Sequence, residues 1–71
     1  MSRLFLHEAM QRVMEAGVPT DFSVIANRIA RKDLYRKKDG DHPASSQIGL
    51  RAKNYPDLFR IESGRRCSKL Q

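Results

Sequence analysis

The chain has 71 residues, 39% of them hydrophobic, with three Phe, two Tyr and no Trp, and a formal net charge of +6. So short a chain buries only roughly 60% of its unfolded surface, which allows one domain over residues 1–71 with three short helices or a small mixed fold, but no deep enzyme pocket. A single cysteine, Cys67, excludes an internal disulfide and a paired-cysteine metal site, and no apolar run reaches membrane-spanning length or forms a signal-peptide core, so a soluble cytoplasmic protein without a membrane partner is expected.

From the N-terminus, Ser2 can cap a helix over residues 3–16, with Leu4, Phe5, Ala9, Met10 and Val13 at helical spacing and Leu6 and Met14 flanking them. Gly17 stands where that helix would end in a left-handed turn. Val18-Pro19-Thr20 reads as an extended link with room for one short strand. Thr20 or Asp21 can cap a second helix over residues 22–32, whose stripe is Phe22, Ile25, Ala26 and Ile29. Leu34 and Tyr35 extend its apolar surface, and Arg36–Asp41 forms a charged loop closed by an Asp-Gly turn.

Pro43 suits the start of a third helix over residues 44–54, with Ser45 or Ser46 supplying a capping oxygen and Pro56 forcing its end. At about 100° per residue, Ala44, Ile48, Ala52 and Tyr55 share one side of this helix. Ser46, Leu50, Lys53 and Asn54 share the other, with Gln47 and Arg51 along one flank. Leu58–Glu62 then alternates with the period of a strand, Ser63-Gly64 reads as a tight turn, and Arg65–Leu70 returns as a second strand. The expected core is Leu4, Phe5, Met10, Val13, Phe22, Ile25, Ile29, Leu34, Ile48, Leu58, Phe59 and Ile61. The expected class is therefore mainly α with a small β-hairpin, the winged helix-turn-helix layout of three helices and a two-stranded wing.

Charge is distributed unevenly along this layout. Residues 1–30 balance three arginines against three acids, whereas residues 31–71 hold eleven Lys and Arg against five acids, so the whole +6 lies in the second part. A basic half on a small domain points first to nucleic acid, which for this layout means double-stranded DNA, and second to an acidic membrane or an acidic protein partner. Among side chains, Gln and Asn pair with adenine and Arg with guanine, so Ser46, Gln47, Leu50, Arg51, Lys53 and Asn54 are candidates for a major-groove face. Arg60, Arg65 and Arg66 on the hairpin, with Lys37 and Lys38 in the loop, are candidates for backbone or minor-groove contacts. Gln47 has a second reading, as a residue that orders the turn. His42 is either a phosphate contact or a helix-start residue without a role.

No catalytic set emerges. Asp39 and Asp41 lack a third acid or a histidine pair, no serine has a base partner, and no glycine-rich phosphate loop exists, so neither an enzyme nor a cofactor is expected.

The stretches "EAGVPTDFSVIANRIARKDLY" and "SQIGLRAKNYPDLFRIESG" resemble the HARE-type winged helix-turn-helix domains. Such domains occur in bacterial restriction-associated proteins, in the delta subunit of bacterial RNA polymerase and in eukaryotic chromatin proteins. The matching residues are Gly17, Pro19, Ile25, Ile29, Gln47-Ile48, Arg51, Asn54-Tyr55-Pro56, Leu58-Phe59 and Gly64. The resemblance implies DNA binding in transcriptional regulation or in restriction and mobile-element biology, with a protein-interaction adaptor or inhibitor as the alternative. Two departures accompany it: the second wing strand lacks the usual aromatic and leucine near Cys67-Ser68, and Ala52 is smaller than the usual aliphatic residue. A short or loosely packed wing is expected from them.

Overall fold

The first helix, α1 (Leu6–Val13), is shorter at both ends than its apolar stripe suggests. Phe5 is extended at its N-cap, where its N–H donates to the Glu8 carboxylate at 3.0 Å, so Glu8 does the capping. The computed structural model describes residues 4–37 and 39–70; the expected cap at Ser2 and helix start at Arg3 lie outside them, as does Lys38. At the other end Met14 is extended, and the chain bends into a Glu15–Val18 turn in which Gly17 takes a φ of +78°. The Gly17 N–H donates to the Lys69 carbonyl at 2.9 Å, so this segment leaves the helix to join the sheet.

Strand β1 (Thr20–Asp21) leads directly into helix α2 (Phe22–Lys32). Asp21 is the N-cap residue, but its side chain makes no capping bond; the Phe22 N–H is held instead by the Arg65 carbonyl at 2.9 Å. Helix α3 (Ser45–Asn54) follows a loop, and then come strands β2 (Phe59–Glu62) and β3 (Arg66–Lys69). These make an α+β fold of three helices and one antiparallel sheet in the order β1-β3-β2. The two-stranded hairpin expected from the sequence is thus a three-stranded sheet, because Thr20 and Asp21 pair with Cys67 and Arg66. A strand of two residues is too short to show an alternating pattern. The hairpin turn holds Ser63, Gly64 and Arg65, with Ser63 and Gly64 both at positive φ, so the return strand starts at Arg66 and not at Arg65.

The core is formed by Leu6, Ala9, Met10, Val13, Met14, Ile25, Ile29, Ile48, Ala52, Phe59 and Cys67. Phe5, expected inside, is 68% exposed, because the helix begins one residue after it and Leu6 takes the inward position. Leu4, Phe22, Leu34, Leu58 and Ile61 are partly buried around this cluster. Cys67 and Ser68 are both buried, and the Ser68 hydroxyl donates to Glu62 at 3.3 Å. The loose packing expected near Cys67-Ser68 is therefore not observed: both side chains are buried, and Cys67 pairs with Thr20 of β1 as well as with Ile61 of β2. Burial raises the Cys67 thiol pKa to about 11.

Candidate nucleic-acid interface

The loop before α3 is set by its own charges. Asp33 ends α2 in the left-handed conformation (φ 52°), which aspartate tolerates better than most residues. Arg36 grips its carboxylate with two bonds, Nε to Oδ1 at 2.7 Å and a guanidinium nitrogen to Oδ2 at 3.3 Å, while His42 Nε2 lies 2.9 Å from Oδ1. The Arg36 bond first, and the His42 bond second, hold the Asp33 carboxyl down at about 2, and Asp33 raises Arg36 in return. His42 therefore has a role, as a clasp between the end of α2 and the approach to α3. The next residue, Pro43, is buried, and Ala44 is the N-cap of α3 without any side-chain capping bond, so neither Ser45 nor Ser46 caps the helix.

Helix α3 docks through Ile48, Gly49 and Ala52. Gly49 is a residue that sequence reasoning passed over. A methyl group built on it would meet the Phe22 ring at 2.8 Å, so glycine sets how closely α3 approaches α2. Because the Phe22 N–H also holds the Arg65 carbonyl, the same residue ties α3 to the hairpin turn.

The face opposite this docking stripe carries the expected side chains. Ser46, Gln47, Leu50, Lys53 and Asn54 are exposed and Arg51 is half-buried. Gln47, Leu50, Arg51 and Asn54 line one side of a shallow depression of about 280 Å³, completed by Leu6, Tyr35 and Lys37. Lys53 lies on the other flank, where it shares a cleft with Arg60 of β2. The structure thus brings five candidates together and places Lys53 and Arg60 beside them, while Ser46 stands apart at the first turn.

Pairing divides the cations more sharply than position does. Lys37 is within 3.8 Å of Asp39, and Arg66 is within 3.5 Å of Asp21. Arg28 and Lys69 are used on backbone carbonyls, of Val13 at 3.0 Å and of Gln11 at 3.1 Å. By contrast, Arg51, Lys53, Arg60 and Arg65 have no ion pair or hydrogen-bond partner among the described residues. The two hairpin arginines, alike in sequence, therefore differ: Arg65 is open and Arg66 is partly neutralised.

An aromatic stack at the edge of this face also escaped the sequence. His7 lies between Phe5 and Tyr55, with ring centroids 5.8 and 4.3 Å away, and its Nδ1 is buried without a hydrogen-bond partner among the described residues. The stack joins α1 to the C-terminal end of α3, and no local periodicity signals a contact between residues so distant in sequence. Among the described residues no group of three His, Cys, Asp or Glu side chains could hold a metal ion, and no helix is long and apolar enough to cross a membrane. No protein-family model, curated protein or solved structure matches this chain.

Proposed function

We propose that this chain is a winged helix-turn-helix domain of the HARE type that binds double-stranded DNA, as a part of transcriptional regulation or of restriction and mobile-element biology. One observation carries the reading: four cations have no ion-pair or hydrogen-bond partner among the described residues, Arg51 and Lys53 on α3, Arg60 on β2 and Arg65 in the hairpin turn, while α3 presents Gln47 and Asn54 exposed. An unpaired guanidinium or ammonium group gives up only hydration and side-chain freedom on meeting a phosphate, whereas a paired one must also give up a carboxylate. In this reading α3 enters the major groove, with Gln47 and Arg51 at base edges. Lys53, Arg60 and Arg65 hold the flanking backbone. Leu50, 62% exposed, meets a thymine methyl. The β2–β3 hairpin, which follows α3 in the chain, serves as the wing in this reading.

The exposed Leu50 also favours a second reading, in which an acidic protein covers the same face. An amide-shift titration with mixed-sequence duplex at low and moderate salt decides between them. DNA binding predicts shifts concentrated at Gln47, Leu50, Arg51 and Asn54 that weaken as salt rises. No shift even at low salt leaves the protein partner as the better account.

A further inference from the structure

The outer edge of the sheet has a composition that duplex binding does not require. Strand β2 pairs with β3 on one side only. The Leu70 N–H donates to the Leu58 carbonyl at 3.0 Å, which makes Leu58 and Leu70 a hydrogen-bonded pair of the antiparallel ladder. Because such pairs alternate, Arg60 and Glu62 also turn their backbone groups toward β3, and Phe59 and Ile61 turn theirs away. Two bonds elsewhere agree with this phase: the carbonyls of odd-numbered Lys69, on the return strand, and Arg65, just before it, are taken from the β1 side by Gly17 and Phe22. On the outer edge the Phe59 N–H is used by the Tyr55 carbonyl at 3.0 Å. The Ile61 N–H and the Phe59 and Ile61 carbonyls have no backbone partner among the described residues.

Alongside this edge runs an open cleft of about 480 Å³ between β2 and the end of α3. Ala52, Pro56, Phe59 and Ile61 give it apolar walls, and Lys53 and Arg60 are its charged residues. Glu62, the one carboxylate on β2, is occupied by the Ser68 hydroxyl, and Asp57 is exposed without lining the cleft. Free backbone donors and acceptors call for an extended chain, apolar walls call for aliphatic side chains, and two unpaired cations call for carboxylates.

We infer that the β2 edge and its cleft are a docking site for an extended acidic peptide of a partner protein, which adds a fourth strand and seats an aliphatic side chain between α3 and β2. Alternation along the added strand puts its aliphatic residues on one face and its carboxylates on the other, within reach of Arg60 and Lys53. A second copy of this chain fits less well, because pairing β2 with itself would set Arg60 and Lys53 of both copies against each other. The inference does not rest on the duplex-binding reading, since its backbone edge and apolar walls lie away from Gln47, but the two share Lys53 and Arg60, so peptide and duplex would compete for those cations.

The test is an amide-shift titration of the full chain, without DNA, using the blocked peptide Glu-Val-Glu-Val-Glu as probe. Two control peptides carry Lys in place of Glu, or Pro in place of the central Glu. The inference predicts saturable shifts centred on Phe59, Ile61 and Lys53, no binding of the lysine peptide, and loss of binding with proline, which cannot supply the edge hydrogen bond. Arg60→Glu, at an exposed position, should weaken the acidic peptide about tenfold while leaving the remaining amide spectrum and the melting temperature unchanged. Shifts confined to Gln47, Arg51 and Asn54, equal binding of the proline peptide, no binding at all, or concentration-dependent self-association through β2 would each overturn it. Duplex binding is read at other amides in a separate titration, so either idea can fail alone.

Discussion

The loop over residues 33–42 and the surface made by α3 with β2 each carry three lysines and arginines, Arg36, Lys37 and Lys38 against Arg51, Lys53 and Arg60, yet they differ in the acids that accompany them. In the loop, Arg36 is held by Asp33 and Lys37 is near Asp39. On α3 and β2, Arg51, Lys53 and Arg60 have no carboxylate within reach among the described residues. Arg36 and Lys37 are engaged by loop carboxylates, whereas the cations of α3 and β2 are left without one, as the proposed reading requires. A run of cations in a sequence thus says little until the acids near them in space are known.

The comparison depends on α3 being rigidly docked, and the largest effect expected comes from undermining that. Ile48→Ala should destabilise the fold by about 2–5 kcal/mol, a large fraction of what so small a domain possesses. A denaturant midpoint that barely moves would show that α3 does not dock through this side. Gly49→Ala should cost less, about 1–3 kcal/mol, because the Phe22 ring can shift to admit the methyl group. The same variant should perturb the amides of Phe22 and Arg65, which a substitution felt only locally would leave in place.

Smaller effects sharpen the division between reading and holding. Gln47→Ala should reduce discrimination between a preferred and a scrambled duplex by roughly 1–3 kcal/mol if its contact is bidentate. Equal losses on both duplexes would mean that α3 touches only backbone. Arg65→Ala should weaken all duplexes alike, and more than Arg66→Ala does, because Arg66 already has Asp21.

The smallest effect belongs to the loop clasp. Asp33 has its pKa depressed from 3.8 to about 2 in the folded protein, so the pair contributes stability above the unfolded value and loses it as pH falls toward the folded one. Compared with Asp33→Asn, the native chain should show a constant small advantage at neutral pH that shrinks below about pH 4 and is gone near pH 2, followed by thermal melts. An advantage that persists unchanged at the acid end would show that the carboxylate is not what holds Arg36.

Much of this organisation is legible in the residues. Helices over 22–32 and 44–54 follow from stripes of Ile25 and Ile29 and of Ile48 and Ala52, and each is observed within one residue of its expected bounds. The exposed side of α3 likewise follows from angle alone. The rest depends on contacts between residues far apart in sequence. β1 exists because Thr20 and Asp21 meet the return strand, and α1 stops early because Gly17 bonds to Lys69. Gly49 resembles a weak point in a helix until Phe22 is seen against it. Two of the ion pairs are hidden for the same reason: Asp33 and His42 are nine positions apart, and Asp21 and Arg66 are about 45 apart.

The account rests on the claim that unpaired cations, and not basic residues in general, bind duplex DNA. The salt dependence of affinity measures this directly, since each phosphate contact contributes about −0.9 to the log–log slope. Fluorescence anisotropy with one mixed-sequence duplex, across a range of salt, should give about 4–6 contacts for the native chain. Replacing Lys53, Arg60 and Arg65 together with alanine should flatten the slope by about three contacts, while Arg36→Ala with Lys37→Ala should change it by less than about one. Equal flattening by the two sets, or a steeper loss from the loop pair, would contradict the account.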